Sequence, residues 1–249
     1  MKAHNISRRS FLAVTGSLVL GGLAGCGNSQ GGGAANSTPA AETVDTKEEP
    51  VPVEIKDSGY YVTEYGYIMY GIVWKNPNDL YSIEYPTLSI TGKDASGKIL
   101  FNDTQVMRSL MPGEEQRFGC QAGTETAPAS VEFSVTDSRS NYVRTNDKAT
   151  EYFSIANANE VPGDYETSFT GELTTLADLG DSSQAWVSVI LRDGDGKIVY
   201  GSNSFADVPA KGQTLPFEVS AMSSLPEHAS YELFAIPWFW GWDLPMNGL

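Results

Sequence analysis

The chain has 249 residues, 41% hydrophobic and 19% charged, which is enough apolar material for a folded protein and too little charge for a tail-like one. Acids outnumber Lys and Arg by 31 to 16, and the resulting −15 at pH 7 is wrong for holding phosphate backbones, so no nucleic-acid partner is expected. Two cysteines and two histidines are too few for a disulfide scaffold and offer little to zinc or an iron–sulfur cluster, and no cofactor is expected. No apolar run reaches the ~18 residues of an ordinary membrane span.

The N-terminal residues carry the most specific signal. A polar start leads into Ser7-Arg8-Arg9-Ser10-Phe11-Leu12 and then into a mildly apolar, glycine-interrupted run from Ala13 to Ala24. Arg8, Arg9, Phe11 and Leu12 look like a twin-arginine export signal. Directly after it, Leu23-Ala24-Gly25-Cys26 resembles a bacterial lipobox, and the resemblance implies that Cys26 becomes the lipid-modified first residue of the processed chain. Residues 1–25 are then a signal peptide, and the expected location is the extracytoplasmic face of a bacterial cell membrane, held there by a lipid anchor. Each buried methylene contributes about 0.8 kcal/mol, so one acyl chain binds marginally and two or more hold firmly.

Removal of residues 1–25 takes away Lys2, Arg8 and Arg9 and no acid, which leaves 13 bases against 31 acids, or −18. Such a surface is repelled by anionic headgroups. Residues 26–52 are rich in Gly, Ser, Ala and Pro with a short acidic run and no periodic apolar positions, the composition of a disordered tether. A coil of about 25 residues spans roughly 27 Å root-mean-square, enough to lift a small domain off the membrane.

From Val53 the texture changes to short runs rich in Val, Ile, Tyr, Phe and Thr, broken by Gly, Pro, Asn and Asp clusters every ~8 to 12 residues, the pattern of an all-β sandwich. Tyr67 to Trp74 is apolar on both faces, which predicts a central strand covered on both sides or a strand at a domain junction. Ser130 to Thr136 alternates, with Val131, Phe133 and Val135 facing inward. Short helical turns are the most that could form near Thr174 to Leu179 and Ala221 to Leu225.

Laying the chain against itself with a shift of 99 residues reveals a repeat. Asp94-Ala95-Ser96-Gly97-Lys98-Ile99 falls on Asp193-Gly194-Asp195-Gly196-Lys197-Ile198, and the match continues through Gly113 on Gly212, Phe118 on Phe217 and Ala122 on Ala221. Composition alone would give roughly two identities over positions 94–122, and there are seven. Val131, Phe133 and Val135 map at a shift of 100 onto Tyr231, Leu233 and Ala235. Two tandem immunoglobulin-like β-sandwich domains, 53–150 and 151–249, are expected; a single 200-residue barrel is the alternative. The repeated unit, with its Gly-Lys turn and Leu110-Met111-Pro112-Gly113-Glu114 ahead of Phe118, is similar to the FxLYD-type domain of bacterial surface lipoproteins. That resemblance implies a generic module and says little about a ligand.

Asp193-Gly194-Asp195-Gly196 invites a calcium reading, but Lys197 and Ile198 stand where an EF-hand loop needs an oxygen ligand and a glycine, and the first copy makes the same turn with Ala95 and Ser96. A plain hairpin turn is expected. Cys120, with neither a basic neighbour nor a helix N-terminus, maps onto Val219 and reads as a small buried apolar residue. His228 is the sole histidine beyond the signal, and no nucleophile elbow or Gly-rich phosphate loop is present, so the chain is not expected to be an enzyme. Aromatics crowd two places: Tyr60 to Tyr70, including Tyr65 and Tyr67, and the tail with Trp238, Trp240 and Trp242. They serve either as core and inter-domain packing or as a platform for a glycan or an envelope protein. The expected role is thus non-catalytic binding or a structural part of the envelope, with a carbohydrate-binding or carbohydrate-active protein as the alternative.

Overall fold

The computed structural model describes residues 49–239, except 124, 164, 165, 180–182, 222 and 223. Residues 1–25, expected to be a signal peptide, and almost all of the expected tether 26–52 therefore lie outside the described residues. The protein is all-β, and among the described residues every strand pairing is antiparallel and the one helical element is a short 3₁₀ turn at Arg139–Asn141. No helical turn forms at Thr174, which lies within a strand, or over Leu176 to Leu179. Ala221 likewise ends a strand, and no helix follows over 224–229. Cross-strand pairing satisfies the backbone there, and segments this short cannot nucleate a helix on their own.

The first half contributes β1 (Glu54–Val62), β2 (Ile68–Lys75), β3 (Tyr81–Ile83), β4 (Thr87–Lys93), β5 (Ile99–Val106), β6 (Glu115–Ala122), β7 (Ser130–Thr136) and β8 (Tyr142–Arg144). The second contributes β9 (Phe153–Pro162), β10 (Thr167–Thr175), β11 (Ser183–Arg192), β12 (Ile198–Asp207), β13 (Thr214–Ala221) and β14 (Ser230–Phe239). In the first half sheet β1-β2-β6 faces sheet β5-β4-β7, and in the second sheet β9-β10-β13 faces sheet β12-β11-β14. Six strands of one half thus repeat six of the other in order and sheet membership, the arrangement of an immunoglobulin-like sandwich. Among the described residues no sheet runs through both halves. The pair β3-β8 belongs to the first half alone and is tied to the rest by a bridge between Ile83 and Leu110.

The turn chemistry follows the repeat. Asp94 accepts hydrogen bonds through Oδ1 from the Ser96 and Lys98 amides at 2.8 and 3.0 Å, and Asp193 does the same for Asp195 and Lys197 at 3.0 and 2.9 Å. Gly97 and Gly196 take the left-handed conformation at φ +84° and +77°, so both copies build the plain turn.

Each sandwich has its own core. Ile68, Tyr70, Ile72, Trp74 and Phe118 fill the first with Leu88 and Ile90, and Val131, Phe133 and Val135 close it from β7. Phe169, Leu173, Val187, Val189, Leu191, Tyr200 and Phe217 fill the second, against Tyr231, Leu233 and Ala235 of β14. Ile68 to Trp74 of β2 are all buried, because the strand has one face on each neighbouring sheet. Ala185 to Leu191 of β11 are buried for the same reason. Four layers result, in the order β5-β4-β7, β1-β2-β6, β12-β11-β14 and β9-β10-β13.

Glycines join the two inner layers. Gly59, Gly71 and Gly119 are direct cross-strand partners and form a row across β1, β2 and β6. A Cβ on Gly59 would lie 1.9 Å from the Ile198 carbonyl oxygen, one on Gly119 2.4 Å from the Ser202 amide nitrogen, and one on Gly201 2.2 Å from the Tyr70 carbonyl oxygen. As β12 advances from Ile198 to Ser202 it passes from β1 to β2 to β6, so it runs across those strands in the groove that the glycines leave. Beside it Val73, Ile190, Ile198 and Phe234 make a small apolar cluster. Met69 and Tyr61 reach into the second core, and Trp186 and Ile236 pack with the first.

Candidate functional site

Where β6 meets β14, the stacking leaves two adjoining hollows of about 600 and 540 Å³. They share Glu115, Arg117, Leu233 and Phe234 and together form a groove between the halves. Its strands fold locally as the repeat dictates; the Arg192–Glu232 pair has a counterpart in Lys93–Glu132, but Arg117 and Phe234 do not repeat. Arg117 stands on β6 with its guanidinium 5.0 Å from the centre of the Phe234 ring, and Glu115 holds it through one carboxylate oxygen at 2.7 and 3.0 Å. This bridge separates the hollows.

On one side of the bridge Arg108 is buried against Glu114, and its guanidinium lies 5.1 Å from the centre of the Tyr152 ring. Glu114 also accepts from the Met111 amide at 2.8 Å, while Gly113 turns the chain at φ +73°, so the Leu110 to Glu114 motif is a turn whose carboxylate both closes the loop and pairs the arginine. Buried Asn76 braces the same region by donating to the Tyr81, Leu110 and Met111 carbonyls, and Asn78 clamps the Val51 backbone with two bonds of 2.7 Å. The chain therefore enters the fold at the same end as the Arg108–Glu114 pair.

On the other side Arg192 of β11 pairs with Asp57 of β1 at 2.7 Å and with Glu232 of β14 at 2.9 Å. Burial works against the guanidinium charge, but the two carboxylates outweigh it and hold the Arg192 pKa above its ordinary value. Arg192 and Asp57 thereby join the two halves through charge as the glycines do through shape.

The aromatics anticipated from the sequence are not gathered into one site. Tyr65 is 65% exposed in the turn between β1 and β2, and Tyr67 is half-buried at the end of that turn. Tyr60 and Tyr70 pack on Phe133 in the first core, and Tyr61 reaches Tyr200 of the other half at 6.3 Å between ring centres. Trp238 is half-buried on β14, 4.7 Å from Trp186 and 5.9 Å from Phe205, so its ring partners come from its own half rather than from the tyrosines. Cys26, Arg8, Arg9, Phe11, Leu12, Leu23, Ala24, Gly25, Trp240 and Trp242 lie outside the described residues. Cys120 is half-buried beside Tyr70, 3.7 Å from the Gln105 side-chain oxygen, and burial pushes its thiol pKa up. The ring nitrogens of His228 are taken up by the Pro226 carbonyl at 3.0 Å and Glu160 at 3.3 Å.

Reading the sequence did not single out Arg108, Arg117, Arg192 or Phe234. For Arg117 and Phe234 the signal lies in the differences between the two copies: Arg117 faces Pro216 in the alignment and Phe234 faces Ser134, a charge and an aromatic ring where the repeat itself asks for neither; Arg192 instead faces Lys93, which pairs with Glu132 as Arg192 does with Glu232. No protein-family model matches the chain, and no curated protein matches it.

Proposed function

We propose that this chain is a bacterial lipoprotein, exported by the twin-arginine route and held by lipid on Cys26 at the extracytoplasmic face of the cell membrane, and that it works by non-catalytic binding in the envelope. The FxLYD-like repeat supports the same setting. The observation that carries the binding role is the groove at the junction of the halves. Its three arginines are held in ion pairs and stacks, Arg108 on Glu114, Arg117 on Glu115 and Phe234, Arg192 on Asp57 and Glu232, which suits a preorganised recognition surface better than a proton-transfer site. Such grooves between domains are where ligands preferentially sit. The test is crosslinking in intact cells with the anchored protein and with its Cys26→Ala form. A partner captured by the anchored protein supports the reading, and a Cys26→Ala chain that stays wholly with membranes after a high-salt wash overturns the anchor.

The cluster of Trp186, Phe205 and Trp238 favours a second reading, a carbohydrate-binding envelope protein. Phe205 is 42% exposed beside half-buried Trp238, and rings so placed can stack on sugar faces. Loss of glycan binding in Trp238→Ala with the melting temperature retained would support it.

A further inference from the structure

Three strand edges converge on the groove. β6 ends sheet β1-β2-β6, β9 ends sheet β13-β10-β9 and β14 ends sheet β12-β11-β14, and among the described residues β14 pairs with β11 alone, over its full length. An edge strand presents a row of unpaired amides and carbonyls, the usual template for an added strand. Leu233 to Ile236 of that edge line the larger hollow together with Thr150 to Ile155. We propose that the groove takes an extended, basic peptide segment of a partner protein, added as a strand along the open edge of β14. The proposal rests on the non-catalytic binding reading and names the chemistry of its ligand.

Charge selects the occupant. The two hollows are lined by three arginines and five acids, Asp57, Glu114, Glu115, Glu151 and Glu232, on a chain of net charge −15. All three arginines already hold carboxylates. Glu115 uses one oxygen for both of its bonds to Arg117, and no ion pair engages Glu151 among the described residues. The surplus is negative and lines the same hollow as the strand edge, so Lys or Arg side chains on an added strand would find Glu115 and Glu151 there, with Phe234 and Tyr152 to accept their apolar stems. The chain's own segment 42–49 is a poor occupant, because it carries Glu42, Asp45, Glu48 and Glu49 against Lys47.

The test uses the full chain and a fluorescein-labelled octapeptide of alternating Lys and Val, read by anisotropy in about 0.1 M salt. The acidic Glu-Val counterpart and a Lys-Val peptide with alternate backbone nitrogens methylated serve as controls. The basic peptide is expected to bind at least tenfold tighter than either control, to slow amide hydrogen exchange over Leu233 to Ile236, and to lose about tenfold in affinity with the Glu115→Lys, Glu151→Lys double variant. Equal binding of the methylated peptide, preference for the acidic peptide, or no binding at all would each overturn the proposal. If the peptide fails while crosslinking in cells still captures a partner, the ligand chemistry falls and the binding reading stands.

Discussion

Gly119→Ala is the smallest change that probes how the two halves are joined. The added Cβ would lie 2.4 Å from the Ser202 nitrogen, 2.6 Å from its oxygen and 2.8 Å from the Gly201 carbonyl carbon, all backbone atoms with no rotamer to escape into. Ordinary contact begins near 3.4 Å, so the inner sheets must part by about 1 Å at that point. A gap of 0.5–1 Å forfeits about a quarter to a half of each dispersion contact across it, and Val73, Ile190, Ile198 and Phe234 lie close by. Overpacking of this kind costs about 3 kcal/mol, the upper part of its usual range. The lower chain entropy of unfolded Ala returns about 0.5–1 kcal/mol, for a net loss of about 2. For a folded unit of this size the melting temperature should fall by about 4–8 °C. Gly194→Ala is the matched control: it sits in a turn with nothing within 4 Å of its Cβ position and should leave stability unchanged or raise it by a few tenths of a kcal/mol. Thermal unfolding followed by circular dichroism and tryptophan fluorescence measures both. If Gly119→Ala melts within 1 °C or so of the parent, the close approach of β12 to the glycine row does not hold the halves together.

Other outcomes can be checked with the same assay. Glu114→Gln strips the carboxylate from buried Arg108 and should cost about 3–5 kcal/mol, whereas replacing both residues with apolar ones should cost clearly less. The buried Tyr70 hydroxyl has no nitrogen or oxygen partner, and the second half places Phe169 and Val219 where the first has Tyr70 and Cys120, so Tyr70→Phe with Cys120→Val should cost under about 1.5 kcal/mol; alkylation of native Cys120 at pH 8 should be slow. Burial pushes the Tyr200 pKa up to about 12, so above about pH 10 the unfolded chain releases a proton that the folded one keeps. Stability should then fall with rising pH by up to about 1.4 kcal/mol per unit from this residue, and Tyr200→Phe should flatten that slope in alkaline denaturation.

The parts of the fold legible in the sequence are those governed by local pattern. Alternation placed Val131, Phe133 and Val135 inward on β7 because one face of that strand meets solvent. The two-sided apolarity of Tyr67 to Trp74 marked a strand between layers, which β2 is. The turns at Asp94 and Asp193 were legible because a short carboxylate capping backbone amides ahead of a left-handed glycine needs only five residues. The groove was not legible, since it arises from which outer faces of two similar units meet, and pattern within a single unit carries no record of that. For Trp238 the sequence leaves packing and a binding platform open, and its partners Trp186 and Phe205 become neighbours only through the pairing of β14 and β12 on either side of β11.

Comparison of the two copies recovers much of what a single unit hides. Unlike faces meet at the junction: sheet β1-β2-β6 of the first half packs on sheet β12-β11-β14 of the second. A heterologous contact of this kind does not close on itself, and a third unit could in principle add at either end. The side chains oppose it. In the second half the row matching Gly59, Gly71 and Gly119 is Asn159, Thr170 and Glu218, which fills the groove that β12 would need. In the first half the positions matching Trp186, Ile190, Phe234 and Ile236 hold Thr87, Thr91, Ser134 and Thr136, and Asn102 stands where Gly201 allows close approach. Both outer faces are thus wetted by hydroxyls, amides and carboxylates, as the end units of a stack must be. The residues that differ between the copies set where stacking stops, and they include Arg117 and Phe234, which line the groove. The binding surface and the junction are therefore built from the same departures from the repeat.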